Sequence, residues 1–416
     1  MRRKIEKSSK KNIIDILLLA SILGMFISYF GHSYWRTAYY FFDGAAFVFA
    51  LLRLVKVKKI PGKPYLLWYV SFFALCLFSM LWTISENYSF NGVKNVLLIV
   101  MAIFSICMYA SNRQKIKHLM IVYIIACLYM CFRLLLFETA VAQVTNDYGQ
   151  VVGLYFNEVA ISLAFGITFC FYLAMTSAKR SVAKFIMLFL ASALFYWIIL
   201  ITGSRKAILL PIIFVIVYIA ISSVGHFRIK EKRGKRIAKV VFLITTLGLL
   251  AGVLATNTTL TSRLQDLGES FFGTKTEDVS INEREFYREE AMSIFSEKPV
   301  LGNGINAFTA HIEDIGYWHV AYSHCNYTEI LSCLGLVGFV VYYYGYFYVI
   351  KKCIKKKTKI SLAERCFVLT MFGVVFLFEY GMVTYYIFPV QMALAIPAQY
   401  LFLEAKEKKE QDSEQH

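Results

Sequence analysis

Apolar runs of about twenty residues recur along almost the whole chain, separated by short polar connections. About twenty apolar residues in a helix are enough to cross roughly 30 Å of hydrocarbon. The pattern predicts twelve spans, at about 13–30, 38–55, 65–84, 93–110, 117–137, 151–175, 183–201, 206–224, 237–256, 326–350, 363–380 and 384–403. One polar stretch breaks the rhythm, between the ninth and tenth spans. The organisation expected is therefore residues 1–256 as the first nine transmembrane helices, 257–325 as one long loop containing short helices, and 326–416 as the last three helices and a tail. The fold class expected is an all-α polytopic membrane protein.

Composition agrees with this reading. Of 416 residues, 58% are hydrophobic and only 17% charged, too few to cover a soluble protein of this size. Mean hydropathy is +0.57. The formal charge of +17 does not point to nucleic acid, because the basic residues sit in short loops between apolar runs. The nine cysteines fall mostly inside those runs and show no CxxC pair, so neither a disulfide framework nor a cysteine metal site is expected. Met1–Lys11 is basic and no A-x-A cleavage site follows, so the first helix is expected to be an uncleaved anchor.

Charge also gives an orientation. The N-terminus, the even-numbered loops and the tail carry 34 of the 44 lysines and arginines, and the opposite side carries nine. Positive loops face the cytoplasm. Both termini are therefore expected in the cytoplasm, in the cell (cytoplasmic) membrane, with the 257–325 loop outside. Arg205 and Lys206, between spans seven and eight, fall on that outer side against the general bias, which suggests a positional requirement for them.

Five charged residues lie in or at the ends of spans: Asp15, Asp43, Arg133, Glu158 and Glu379. Charges there are costly and face a partner or a cavity, or reach the interface when terminal. Their scatter gives no relay by spacing.

The outer loop carries the candidate chemistry. Arg263 is expected on a short helix, followed by a flexible stretch at 273–280. Asn282 with Glu285 three residues on reads as the start of a second helix, and Pro299 as its end. Tyr287, Ala291, Ile294 and Phe295 would form one apolar face, laid against the membrane domain. Arg284 and Arg288 are one turn apart on this helix. They are either solvated charges bridged to Glu285, Glu289 or Glu290, or an anion clamp with Arg205 and Lys206. Guanidinium forks match phosphate oxygens. Gly302, Asn303 and Gly304 predict a tight turn with close backbone approach. Of His311, His319 and His324, whose spacings do not resemble a helical zinc pair, His324 stands at the outer mouth of span ten. A neutral imidazole there is a suitable general base, and nearby arginines would keep it neutral.

These residues resemble the O-antigen ligase and Wzy-type polysaccharide polymerase family. Thr202-Gly203-Ser204-Arg205-Lys206 is similar to the family's Ser-Arg segment at an outer helix end. Arg284 followed by Pro299-Val-Leu-Gly302-Asn-Gly304 is similar to its Arg…Pro-x-x-Gly-x-Gly segment. His324-Cys325, nine residues, then Gly335-Leu-Val-Gly338 resembles its His…Gly-x-x-Gly pattern, and Gly153…Asn157 its Gly…Asn motif. One departure stands out: the family's Asn, Ser or Gln after the histidine is Cys325 here, with Asn326 next.

The resemblance implies an inverting, metal-independent glycosyl transfer from an undecaprenyl-diphosphate-linked oligosaccharide at the outer face of the lipid bilayer, with no cofactor. His324 would take the acceptor proton. Arg205, Lys206, Arg284 and Arg288 would hold the diphosphate. Asn157, Gly302, Gly304, Asn326, Gly335 and Gly338 would support them. The favoured activity is polymerisation of capsule or O-antigen repeat units, with a chain-length regulator as a candidate partner. The alternatives are a ligase moving finished glycan to lipid A core or another acceptor, and a flippase for the same lipid-linked glycan. A flippase predicts pseudo-symmetric halves and broken midplane helices, whereas here the polar residues gather in one loop.

Overall fold

The computed structural model describes residues 2–31, 36–137, 150–151, 154–176, 182–224, 227–229, 240–245, 247–248, 251, 279–355 and 360–403. The helices are α1 (Arg2–Tyr29), α2 (Arg36–Val57), α3 (Lys63–Ser79), α4 (Glu86–Tyr109), α5 (Arg113–Phe137), α6 (Phe156–Thr176), α7 (Val182–Thr202), α8 (Arg205–Ser223), α9 (Val279–Glu297), α10 (Ala307–Asp314), α11 (Asn326–Ile354), α12 (Leu362–Phe378) and α13 (Phe388–Ala398). Short 3-10 turns extend α3 and α13. A two-residue antiparallel pair, Gln150–Val151 with Leu154–Tyr155, precedes α6.

Among the described residues, eight helices are long and apolar enough to cross a membrane, which makes this an all-α polytopic membrane protein. The apolar part of α1, Ile13–Tyr29, is shorter, as are α12 at 17 residues and α13 at 11. The expected span at 237–256 lies largely outside the described residues; 240–245, 247–248 and 251 are helical. Arg263 and most of the stretch at 273–280 also lie outside them.

Several boundaries differ from the sequence reading by a few residues, and two of them bear on the site. The sixth span does not begin at 151: the chain first forms the short pair, and the helix starts at Phe156. The loop helix does not begin at Asn282 either. It starts at Val279, leaving Asn282 inside the first turn. A capping box does exist elsewhere, at the head of α12. There Ser361 Oγ accepts the Glu364 amide, and Glu364 Oε2 accepts the Ser361 amide at 2.9 Å.

The in-span charges have individual solutions. Asp15 pairs with Arg53 at 3.0 Å and Lys115 at 2.5 Å. Glu158 accepts the Tyr29 hydroxyl. Asp43 is fully buried, and among the described residues neither of its oxygens has a hydrogen-bond partner. Arg133 is half-buried near the end of α5.

Helix α11 organises the part of the molecule that follows. It is broken at Gly335, whose φ of 64° and ψ of −166° are open only to glycine. A break mid-helix strips partners from backbone groups, and in a lipid-embedded helix these must be satisfied from within the protein. The Pro299–Gly304 turn does this. Asn303 and Gly304 donate their amides to Ser332 O at 3.2 Å and Cys333 O at 2.8 Å. Leu336 and Val337 donate to Pro299 O at 2.9 Å and Val300 O at 3.1 Å. The backbones meet so closely that a Cβ on Gly302 would lie 2.5 Å from Cys333 O, and one on Gly335 2.4 Å from Val300 O. What the glycine-rich turn approaches is thus the protein's own broken helix.

Candidate functional site

The segment before α11 presents His324. Its φ of 57° is left-handed, which costs a non-glycine residue about 1–2 kcal/mol. Both neighbours are tied down. The Ser323 amide donates to Glu329 Oε2 at 2.8 Å, and Ser323 Oγ donates to Cys325 O at 2.9 Å. The Asn326 amide donates to Glu379 O at 2.8 Å. The imidazole lies between two rings, Tyr322 at 4.4 Å and Tyr287 at 5.8 Å between centroids.

Asn326 answers the break in the motif at Cys325. Cys325 is the N-cap of α11, buried, with no capping bond from its side chain. The amide one position on does the joining instead. Asn326 Oδ1 accepts the amides of Thr384 at 2.8 Å and Tyr385 at 3.3 Å, and Nδ2 donates to the Tyr343 hydroxyl at 3.0 Å.

Arg205 and Lys206 are the first two residues of α8. Gly203, with φ of 65°, turns the chain sharply out of α7. Ser204 then donates to Asn157 Oδ1 at 2.8 Å, which braces this turn against the first turn of α6. Cations at a helix N-terminus oppose the macrodipole. The arrangement makes electrostatic sense when an anion sits there.

Arg284 and Arg288 come from α9. That helix buries Tyr287, Ala291 and Ile294 and packs on α11, with Phe295 half-buried beside them, as its apolar spacing predicted. The guanidinium of Arg288 lies 5.0 Å over the Tyr380 ring. Lys206 runs along Gly381, where a Cβ would come within 3.0 Å of its Cε. Lys206 is in electrostatic reach of Arg205, Arg284 and Arg288. The four cations from two distant segments therefore form one group.

His324 is part of the same group. Burial, and then the charges of Arg284, Lys206, His319 and Arg288, push its pKa from 6.5 to about 2. The ring is neutral at physiological pH. The other two loop histidines are engaged with acids of α9. His311 Nε2 is 3.0 Å from Glu290 Oε2, and His319 Nδ1 is 3.8 Å from Glu283 Oε1. Glu290, one of the acids that could have bridged the arginine pair, is thus held by His311. Among the described residues, no group of three or more His, Cys, Asp and Glu could hold a metal ion.

Of the supporting residues, Asn157 braces the Ser204 turn and Asn326 joins α11 to the segment after α12. Gly302, Gly304 and Gly335 build the wedge and the break. Gly338 is buried one turn past the break. A segment that spacing did not single out forms the floor. Residues 379–387 place Tyr380 under Arg288, Gly381 along Lys206 and Tyr386 against Tyr322. Glu379 anchors it. The carboxylate is fully buried and accepts hydroxyls from Tyr346 at 2.7 Å, Tyr343 at 2.9 Å, Tyr342 at 3.3 Å and Thr384 at 2.5 Å. The only sequence signals were an acid within an apolar run and a Tyr342–Tyr346 cluster at helical spacing.

The helices and the site define a polytopic membrane protein with a neutral histidine set among four cations at one end of the bundle. Residues 151–343, a little under half of the chain, match the family model described as O-antigen ligase, and this match supports an O-antigen ligase or Wzy-type family for that stretch. The matched stretch contains Asn157, all four cations, His324 and both glycine motifs, and stops before Glu379. No curated protein matches the chain.

Proposed function

We propose that this protein polymerises surface polysaccharide. It transfers glycan from an undecaprenyl-diphosphate-linked donor to the hydroxyl of an acceptor sugar, at the outer face of the cytoplasmic membrane. One observation carries the reading: a neutral, buried-edge imidazole stands beside four clustered cations. This is the combination that glycosyl transfer from a diphosphate requires.

His324 accepts the proton of the acceptor hydroxyl as its oxygen attacks the anomeric carbon. The bond from that carbon to the diphosphate oxygen breaks, with inversion, and undecaprenyl diphosphate leaves. Arg205, Lys206, Arg284 and Arg288 hold the leaving group and stabilise its developing charge, so the reaction proceeds without a metal. Binding the diphosphate also strengthens the base. Its negative charge offsets the cations that depress His324, so the imidazole gains basicity only when the donor is present.

Orientation supports the outer face. α11 starts at the site and ends at Lys351 and Lys352, and α12 runs back to the site from its N-terminal turn, where Glu364 meets Arg113 at 2.6 Å. The site and the basic loops thus lie at opposite ends of these helices, and basic loops face the cytoplasm.

The test is reconstitution of the purified protein in bilayers with lipid-linked oligosaccharide. A ladder of lipid-linked polymer with release of undecaprenyl diphosphate is expected, and none from His324→Ala. The family description favours a second reading, a ligase. Transfer only to a different acceptor, with no ladder, would establish it. Movement of the lipid across the bilayer without any new glycosidic bond would instead establish a flippase.

A further inference from the structure

Aromatic rings run in an unbroken series from His324 to solvent. Tyr287 lies 5.8 Å from His324 and 5.6 Å from Tyr317. Tyr317 stacks on Phe286 at 4.4 Å and 18°, and lies 6.1 Å from Trp318. Trp318 ends the series, 73% exposed.

This exposure is built, not incidental. The Tyr287 hydroxyl donates to His319 O at 2.6 Å, and the Tyr317 amide donates to Ile312 O at 3.3 Å, so the backbone on each side of Trp318 is held. Leaving an indole in water forgoes the burial that usually stabilises a fold. The surroundings mix apolar and polar groups, with Ile315 47% and Val320 41% exposed on either side in the chain. His319 is half-exposed and its Nδ1 is 3.8 Å from Glu283 Oε1. Glu313 and Asp314 are exposed just upstream. Exposed acids four and five residues before Trp318 disfavour a seat deep in lipid. Rings with an imidazole and a carboxylate nearby suit a sugar, whose C–H faces lie on π faces while its hydroxyls find polar partners.

We propose that Trp318, backed by Tyr317 and Phe286 and flanked by His319 and Glu283, is the subsite that holds the acceptor saccharide on its approach to His324. This rests on the glycosyl-transfer reading, and extends it to the acceptor.

The experiment uses the full chain in nanodiscs. The probe is the lipid-linked repeat unit from cells lacking the protein, as donor, and the same oligosaccharide released by mild acid, as acceptor. Trp318→Ala should raise the acceptor KM by about tenfold or more, with a smaller fall in maximal rate, while Trp197→Ala, on the exposed face of α7, changes neither. Tryptophan emission should respond to the free oligosaccharide in the wild type and not in Trp318→Phe. An unchanged KM in Trp318→Ala would overturn the subsite. So would emission from Trp318 quenched by brominated phospholipid and indifferent to the oligosaccharide, which would make the residue a membrane anchor. If the wild type forms no glycosidic bond at all, the glycosyl-transfer reading fails, and the emission response still decides whether the rings bind the saccharide.

Discussion

The backbone carbonyl of Glu379 accepts the amide of Asn326 at 2.8 Å, which joins the end of α12 to the start of α11 two residues after His324. The Glu379 side chain draws four hydroxyls from α11 and the following segment into the same joint. Glu379→Gln removes one acceptor oxygen and adds a donor facing hydroxyls. A buried polar group left without a partner costs about 1–3 kcal/mol. Thermal unfolding in detergent should fall measurably and polymer synthesis with it. Wild-type unfolding and synthesis in this variant would show that the joint does not depend on the carboxylate.

The break in α11 gives a sharper test of structure. Gly335→Ala places a methyl 2.4 Å from Val300 O at a backbone angle that alanine avoids, and should abolish folded protein in the membrane. Gly373→Ala, where nothing lies within 4 Å, should be tolerated. Expression and size-exclusion profiles compare the two.

His324 also predicts a pH effect. Its pKa is about 2 folded and near 6.5 unfolded, so the unfolded chain binds more protons below pH 6.5. The stability that goes with a depressed pKa is complete above about 6.5 and lost as pH falls from there towards 2. Between pH 7 and 5 the wild type should lose more melting temperature than His324→Gln. Equal losses would show that the imidazole is not held neutral.

If the cations grip a diphosphate through forked hydrogen bonds, charge alone cannot replace them. Arg205→Lys and Arg284→Lys should each retain only a small fraction of transfer, with folding intact, because an ammonium is a point charge. In vitro polymer yield measures it, and normal yield from both variants would rule out the fork.

Orientation can be read with one introduced thiol. All nine native cysteines are buried, Cys325 among them, so the wild type is a silent background. Glu297→Cys, at the exposed end of α9, should react with an impermeant maleimide on intact cells. Protection there, with labelling only after lysis, would invert the topology.

Hydropathy alone placed most of the helices, because the cost of burying polar groups in lipid is local and additive along the chain. Sequence also named the four cations, His324, and the apolar face of α9 that docks on α11. Other features needed the folded chain. Gly302 and Gly335 read as two separate motifs, yet each fills the other's backbone. Asn326 read as a displaced amide, and its partners Thr384 and Tyr385 lie nearly sixty residues away. Glu379 read as a stray acid until Tyr342, Tyr343 and Tyr346 closed on it. The start of α9 lies at Val279, three residues before the cap that Asn282 suggested. Solvent preference is a property of each residue and can be read in one dimension. Hydrogen-bond partnership and the left-handed turn at His324 depend on which backbones the fold brings within 3 Å or so, and only the tertiary structure decides that.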